Sequence, residues 1–205
     1  MTDDLITSYV RCCIPDFPTT LDTILTVPNK TLGYKCKEVP LEFLEDPPFK
    51  LCLEAFEKLL GETPNAVGLA APQVGLNYCF FAIARSLVKP DSGLDEFVGA
   101  SAETSNVETT VCINPHIINL EGVPRTVDEG CLSLPGITGR VTRWPVIHAG
   151  WLDRTGKSKA DKFEGKLAQI WQHETDHLQG KLFIDKMNHS NRAKLLKKYF
   201  EGITC

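Results

Sequence analysis

The stretch Gln172-His173-Glu174-Thr175-Asp176-His177 constrains this chain more than any other, because two imidazoles four positions apart share a face only if the backbone there is helical. On a helix both rings reach one metal ion while Glu174 stands beside it, the arrangement of metal-dependent hydrolases. Lys166 to Gln179 is the span predicted helical, with Gly180 closing it. The rest of the fold has to be built around the histidine face of that helix.

Two protein ligands do not hold a catalytic ion; such sites use three and keep a further position for water. A histidine at position 183 would complete one peptidase subtype, but that residue is Phe183. Glu201, in a basic segment at 190–202 that reads as a final helix, lies at the distance used by a second type. Cys131 is another candidate, set among turn residues in Glu129-Gly130-Cys131-Leu132-Ser133-Leu134-Pro135-Gly136. A lone cysteine is ordinarily a small buried hydrophobe, so the residues alone leave Glu201 and Cys131 both open as the third ligand.

Length and charge narrow the class. With 205 residues, 42% of them hydrophobic, the chain suits a single domain over 1–205, interrupted by a polar insertion loop at 90–110. It has no apolar run of eighteen residues, so membrane insertion is not expected. A net charge of −4, with cations scattered except at 194–198, gives no basic field for direct nucleic-acid binding. Eight cysteines in a chain without a secretory signal, two of them adjacent at Cys12 and Cys13, fit a reducing interior better than a disulfide framework.

Several elements are legible. Pro48 followed by Phe49, Leu53, Phe56 and Leu60 predicts an amphipathic helix ended by Gly61. Cys79 to Ala84 reads as a buried strand, and Val111–Ile113 with Ile117 and Ile118 as an extended run broken by Pro115. From Val141 to Lys166, alternation around Arg154-Thr155-Gly156-Lys157 predicts a hairpin. His116, His148 and His189 have no metal-spaced partner and are read as structural or surface residues.

Three runs, Gly68–Gln73, Glu129–Ser133 and Gln172–Leu178, resemble in order the GxGLAAPQ, EGCLS and QHExDHL boxes of peptide deformylases. The similarity extends from Ile24, Leu25 and Pro28 to Leu182–Met187. It implies an α+β fold in which antiparallel sheets pack around a central helix bearing the histidines, with an N-terminal and a C-terminal helix. It also implies a single divalent ion on Cys131, His173 and His177, ferrous iron in the cell and zinc as an ion such a site also holds on isolation. Glu174 would move the proton, and the Gln73 amide and the Leu132 backbone N–H would stabilise the oxyanion. Val67, Gly68, Leu132 and Ile170 would bind the substrate, and Glu129 with Arg143, twelve residues past the cysteine, would brace the strand beneath the site.

The substrate so implied is an N-formylmethionyl nascent peptide, which would bring the protein near the ribosome. Gly150–Lys157 and the polar insertion resemble the organellar type, pointing to the mitochondrial matrix, with the cytoplasm as the alternative. The chain departs from the pattern at Ala66, where glycine is usual and positive φ or close substrate approach is expected, and at Gln169 and Trp171 beside the histidines. These departures keep two other functions in view: a peptidase using Glu201 as ligand, and a weakly active homologue that binds formyl peptides.

Overall fold

The computed structural model describes residues 17, 18, 20–84 and 108–203; the acidic start, Cys12, Cys13, Cys205 and most of the polar insertion at 90–110 lie outside them. Helix α1 spans Pro47–Glu62. It starts there because Asp46 accepts from the Phe49 backbone N–H, and because Pro47 and Pro48 occupy positions where the missing N–H costs nothing. Gly61 does not end it; the helix runs on to Glu62, where the Thr63 hydroxyl and backbone N–H both return to the Leu59 carbonyl.

Among the described residues seven strands follow as β1 (Gly68–Ala70), β2 (Phe80–Ala84), β3 (Thr109–Glu121), β4 (Arg125–Cys131), β5 (Leu134–Arg143), β6 (Val146–Leu152) and β7 (Ser158–Glu164). A five-stranded antiparallel sheet has the order β1-β2-β3-β6-β7, and β4 with β5 forms a separate antiparallel pair. Helix α2 (Gly165–Leu178) packs against β1, β2, β6 and β7, and α3 (His189–Ile203) lies against β5. This is the α+β arrangement of antiparallel sheets around a central helix, with a helix before and after it.

Strand β2 shows why its sequence is an unbroken apolar run. Phe80, Ala82 and Ala84 face a core shared with Phe49, Phe56 and Leu60 of α1, whereas Phe81 and Ile83 face a second core with Trp151, Phe163 and Trp171. A strand covered on both faces has no polar side to alternate with. A third cluster joins the β4-β5 pair to the chain's end through Leu134, Ile137, Val141, Phe183, Ile184 and Tyr199.

Two strand boundaries differ from the sequence expectation. Pro115 does not break its strand, because β3 bulges between Ile113 and His116, and a residue without an N–H is tolerated where the ladder already skips a bond. Asn114 carries the bulge at φ 49° and ties it down by exchanging side-chain hydrogen bonds with the Val39 backbone. The expected hairpin from Val141 begins only at Val146, since Val141–Arg143 belong to β5; its turn is held by Asp153, which accepts from Thr155 and Lys157.

Gly180 closes the histidine helix at φ +68°, and a Cβ there would lie 2.6 Å from the Gly33 carbonyl oxygen. Left-handed backbone and a backbone clash both oppose a side chain at this point. Gly180→Ala is expected to lower stability by about 2 kcal/mol, read as a drop in the urea midpoint with an unchanged slope. A midpoint equal to the parent's would show that the helix end does not need this close approach.

Candidate active site

Strand β4 ends at Cys131, and its register against β5 slips there: Gly130 pairs with Thr138 but Cys131 with Leu134. The slip accompanies a tight turn through Leu132 and Ser133 that brings the sulfur to helix α2. Cys131 Sγ lies 3.2 Å from His177 Nε2, and the ligand atoms of Cys131, His173 and His177 all lie within 4.8 Å of one another. Between the histidines the helical rise places one ring beside the other, centroids 4.9 Å apart. Glu201 is elsewhere, on an exposed face of α3 within 3.7 Å of Lys197, so the cysteine and not this glutamate accompanies the two histidines.

Beneath the trio lies a buried charge network. Arg143 grips Glu129 through Nε at 2.7 Å and Nη2 at 2.9 Å, and its Nη1 donates to Asp176 at 2.6 Å. Glu129 Oε2 also meets His173 Nδ1 at 2.9 Å, which leaves Nε2 of that ring as its ligand atom. Asp176 is joined in turn by Lys186 at 3.0 Å. Burial pushes the Glu129 carboxyl up, but hydrogen bonds and charge from Arg143 and His173 outweigh it and hold the group at about 2. Arg143 is desolvated too, yet Glu129 and Asp176 raise its pKa and keep it charged.

The same balance ionises the ligand thiol. Burial opposes a charge on Cys131, but the charge of His177 and hydrogen bonds from His173 and His177 overcome it, bringing the thiol well below its ordinary range. Burial likewise opposes charge on His173, whose pKa is nonetheless raised well above normal by the Cys131 and Glu129 partners. A thiolate held in a buried site with two imidazoles is a donor set that calls for a cation, and one sulfur with two nitrogens suits zinc or ferrous iron. By contrast Cys36 and Cys52 are pushed up by burial to about 12 and about 11, and stay neutral.

Glu174 sits beside the trio without joining it. It is 3% exposed; burial raises its carboxyl to about 7 against the opposing charges of His173 and His177. Its Oε2 has no hydrogen-bond partner among the described residues, and its Oε1 occupies the space that a Cβ on Gly68 would need. Gly68 is therefore a close-approach glycine, while Gly75 serves a left-handed cap at φ +85°. Gln73, in the 3-10 turn Ala71–Val74 after β1, points its Nε2 at Cys131 Sγ, 3.6 Å away.

A cavity of about 730 Å³ opens onto these groups and is lined by Val67, Gly68, Gln73, Leu132, Ile170 and Glu174 among others. Cys131, His173 and Glu129 line it as well, His177 and Arg143 lie behind them in contact with Cys131 and Glu129, and Glu201 stays apart. Two expected departures are not what the sequence implied. Trp171 points away from the cavity into the aromatic core against Phe81, Trp151 and Phe163. Ala66 does line the cavity, but the positive φ belongs to its neighbour Asn65, at 60°. The Ala66 methyl is buried with the α1 core and meets no φ penalty.

Gln169, the third departure, is buried and donates to the Asp128 carbonyl and to Glu129 Oε1, so its polarity serves the charge network. The motifs do not mark Asp176 and Gln169 as members of that network, although both fall on the His173 stripe of the helix, at i+3 and i−4. His148 pairs with Glu121 at 2.7 Å, apart from the trio.

The family model for polypeptide deformylase matches residues 21–193. A peptide deformylase of Chlorobium phaeovibrioides is 35% identical over 175 residues, spanning 85% of this chain and 83% of that protein. The solved structure of a plant peptide deformylase superposes with a TM-score of 0.74 at 29% identity, covering 93% of this chain and 92% of that one. A class I type b peptide deformylase from Acinetobacter baumannii, solved with Met-Ala-Ser bound, superposes at 0.69 and 25% identity over 83% of this chain and all, 100%, of that one.

Because the folded carboxyl of Glu129 lies at about 2, below its ordinary 4.5, its contribution to stability is present above pH 4.5 and is lost as the pH falls through 4.5 towards 2. The difference corresponds to about 3 kcal/mol. In metal-free protein Glu129→Gln is expected to forfeit this at neutral pH and to flatten that acid limb, as read from unfolding free energies between pH 7 and 2. A variant that keeps the parent's acid slope would remove Glu129 as its source.

Proposed function

The chain belongs to the polypeptide deformylase family, and on that premise we propose how its residues remove the formyl group from a formyl-methionyl nascent peptide, leaving formate and a free amino terminus. The observation that carries the reading is the meeting of Cys131 with His173 and His177, their ligand atoms within 4.8 Å of one another, beside Glu174, which is not one of the three. Those three residues would hold the family's single metal ion. When bound, a divalent cation supplies a Lewis acid that acidifies water and polarises a carbonyl.

The chain's own groups do the remainder. Glu174, whose carboxyl burial brings to about 7, takes a proton from the attacking water and delivers it to the nitrogen as the C–N bond breaks. Gln73 Nε2 and the Leu132 backbone N–H donate to the carbonyl oxygen as it gains charge. Glu129 holds the His173 ring by Nδ1, and Arg143 holds Glu129. The methionine side chain enters the cavity between Val67, Leu132 and Ile170, and the peptide backbone lies along the open edge of β1 at Gly68. Met-Ala-Ser, the peptide bound by the Acinetobacter baumannii relative, represents the product class this cavity would release.

We assign ferrous iron as the working ion, with zinc as a less active occupant, and the mitochondrial matrix as the location; both rest on the family resemblance. Proximity to the ribosome follows from a nascent substrate. Cell fractionation decides the location, and a purely cytosolic signal would replace it.

Formate release from formyl-Met-Ala-Ser, on protein loaded with Fe(II) or Zn(II) without oxygen, tests the activity and the ion together; turnover equal with both would discard the iron assignment. Cys131→Ala is expected to lose bound metal and activity, while Cys52→Ala and Glu201→Ala keep their metal. Full metal content in the Cys131 variant would return the third ligand to question. Glu174→Ala should retain the ion and lose turnover by roughly 10²-fold or more. Near-normal kcat there removes Glu174 from the proton transfer.

Ala66 gives the test of a weakened, binding-only homologue. Since its methyl is packed and unstrained, Ala66→Gly is expected to leave kcat/KM unchanged and to cost roughly 0.4–1 kcal/mol of stability. A clear rise in kcat/KM would mean that the methyl obstructs the peptide after all.

A further inference from the structure

We infer that Ser133 is a positioning residue for deformylation: its hydroxyl fixes which N–H of Gln73 remains for the substrate's carbonyl oxygen. The inference rests on the oxyanion role proposed above for Gln73. The two ends of that amide are separately determined. Gln73 Oε1 accepts from the Ala70 backbone N–H at 2.9 Å, and a backbone N–H can only donate, so the amide oxygen must face Ala70. Nε2 is thereby turned towards the β4-β5 turn.

There Nε2 donates to Ser133 Oγ at 3.1 Å and approaches Cys131 Sγ at 3.6 Å. An amide nitrogen has two hydrogens. Ser133 takes one of them in the shorter of the two contacts. The other is left pointing at the ligand sulfur over a longer distance, where an oxygen gaining charge beside Cys131 can capture it. Ser133 is fully buried, so bulk water does not replace its hydroxyl if it is removed. Without that acceptor the amide is held only at Oε1 and can tilt Nε2 so that one hydrogen closes on the thiolate, whose charge makes it the stronger acceptor. The donor meant for the transition state would then be spent on a ligand.

The hydroxyl is not needed to hold the backbone. The Val27 N–H donates to the Ser133 carbonyl at 2.9 Å and the Leu25 N–H to the Gln73 carbonyl at 2.7 Å, so one extended segment fixes the spacing of both residues. Removing Oγ therefore changes the orientation of the Gln73 amide rather than the position of its chain.

The test uses metal-loaded enzyme and formyl-Met-Ala-Ser. Ser133→Ala should lower kcat about tenfold or more, with KM, metal content and melting temperature close to the parent's, because an oxyanion contact is made only in the transition state. The same substitution in a Gln73→Ala background should cost nothing further, since the amide it orients is gone. Ser133→Cys keeps the volume with a weaker acceptor and should fall between; it replaces Ser133→Ala in the cycle if the alanine variant does not fold. Undiminished kcat in Ser133→Ala, or an equal loss in both backgrounds, overturns the positioning role while leaving Gln73 in place. Full kcat in Gln73→Ala alone instead overturns the oxyanion role of Gln73, and this inference with it.

Discussion

The buried contact between Arg143 and Glu129 is the interaction on which the rest of the site depends. The two residues stand on neighbouring strands, β5 and β4, and the guanidinium spans both carboxylate oxygens. Its remaining arm reaches Asp176 of helix α2, while Glu129 reaches His173 of the same helix. The β4-β5 pair shares no ladder with the five-stranded sheet, and its apolar residues belong to a different core from those of α2. Charge therefore joins what hydrophobic contact leaves apart. Such a pair adds little over a well-packed apolar substitute, but deleting either partner strands the other in a desolvated place. Its value lies in geometry: Glu129 and Cys131 are two residues apart on one strand, so fixing the first aims the second at the histidines.

Helix α2 carries two adjacent stripes. Gln169, His173 and Asp176 turn to the Glu129 and Arg143 network, whereas Ile170, Glu174 and His177 turn to the cavity and the cysteine. Both stripes are largely polar and both are covered, so the helix has no simple apolar face against water. Burial raises the cost of every charge on it: His173 is met by Glu129, Asp176 by Arg143 and His177 by Cys131, whereas Glu174 has no such hydrogen-bonded partner among the described residues. Glu174 keeps an oxygen without a hydrogen-bond partner among the described residues, and desolvation brings its carboxyl to about 7.

How much of this was legible in the sequence varies with the kind of signal. The helix with its closing glycine could be read because two histidines and a glutamate are meaningful only at helical spacing, and Gly180 is forced by φ. Cys131 was one of two candidate ligands until the fold placed Glu201 on an exposed surface. Pro115 misled because a bulge, which local sequence does not announce, absorbs its missing donor. Trp171 and Ala66 stand out in the sequence because they adjoin the site's motifs, but adjacency in sequence is not orientation: one ring faces the aromatic core, and the unusual backbone angle is one residue earlier. Asp176 and Gln169 were recoverable from helical spacing. Ser133 was not, since nothing in a serine beside a cysteine reveals that its hydroxyl will meet an amide from a segment sixty residues earlier.

Strand β1 brings the sheet and the chemistry together. It is three residues long and stands at the end of the strand order, so one side pairs with β2 while the other has no neighbour among the described strands. An edge of this kind ordinarily invites unwanted pairing, and shortness limits that hazard. Here the edge also adjoins the cavity, and at Gly68 the missing side chain gives its space to Glu174. A peptide laid along that edge as an added strand would have its backbone bonded by β1 and its terminal amide held beside the carboxylate. The same glycine thus lets the helix approach the sheet at the point where the strand's edge lines the cavity. A side chain at this position would push the Glu174 carboxylate away from the strand.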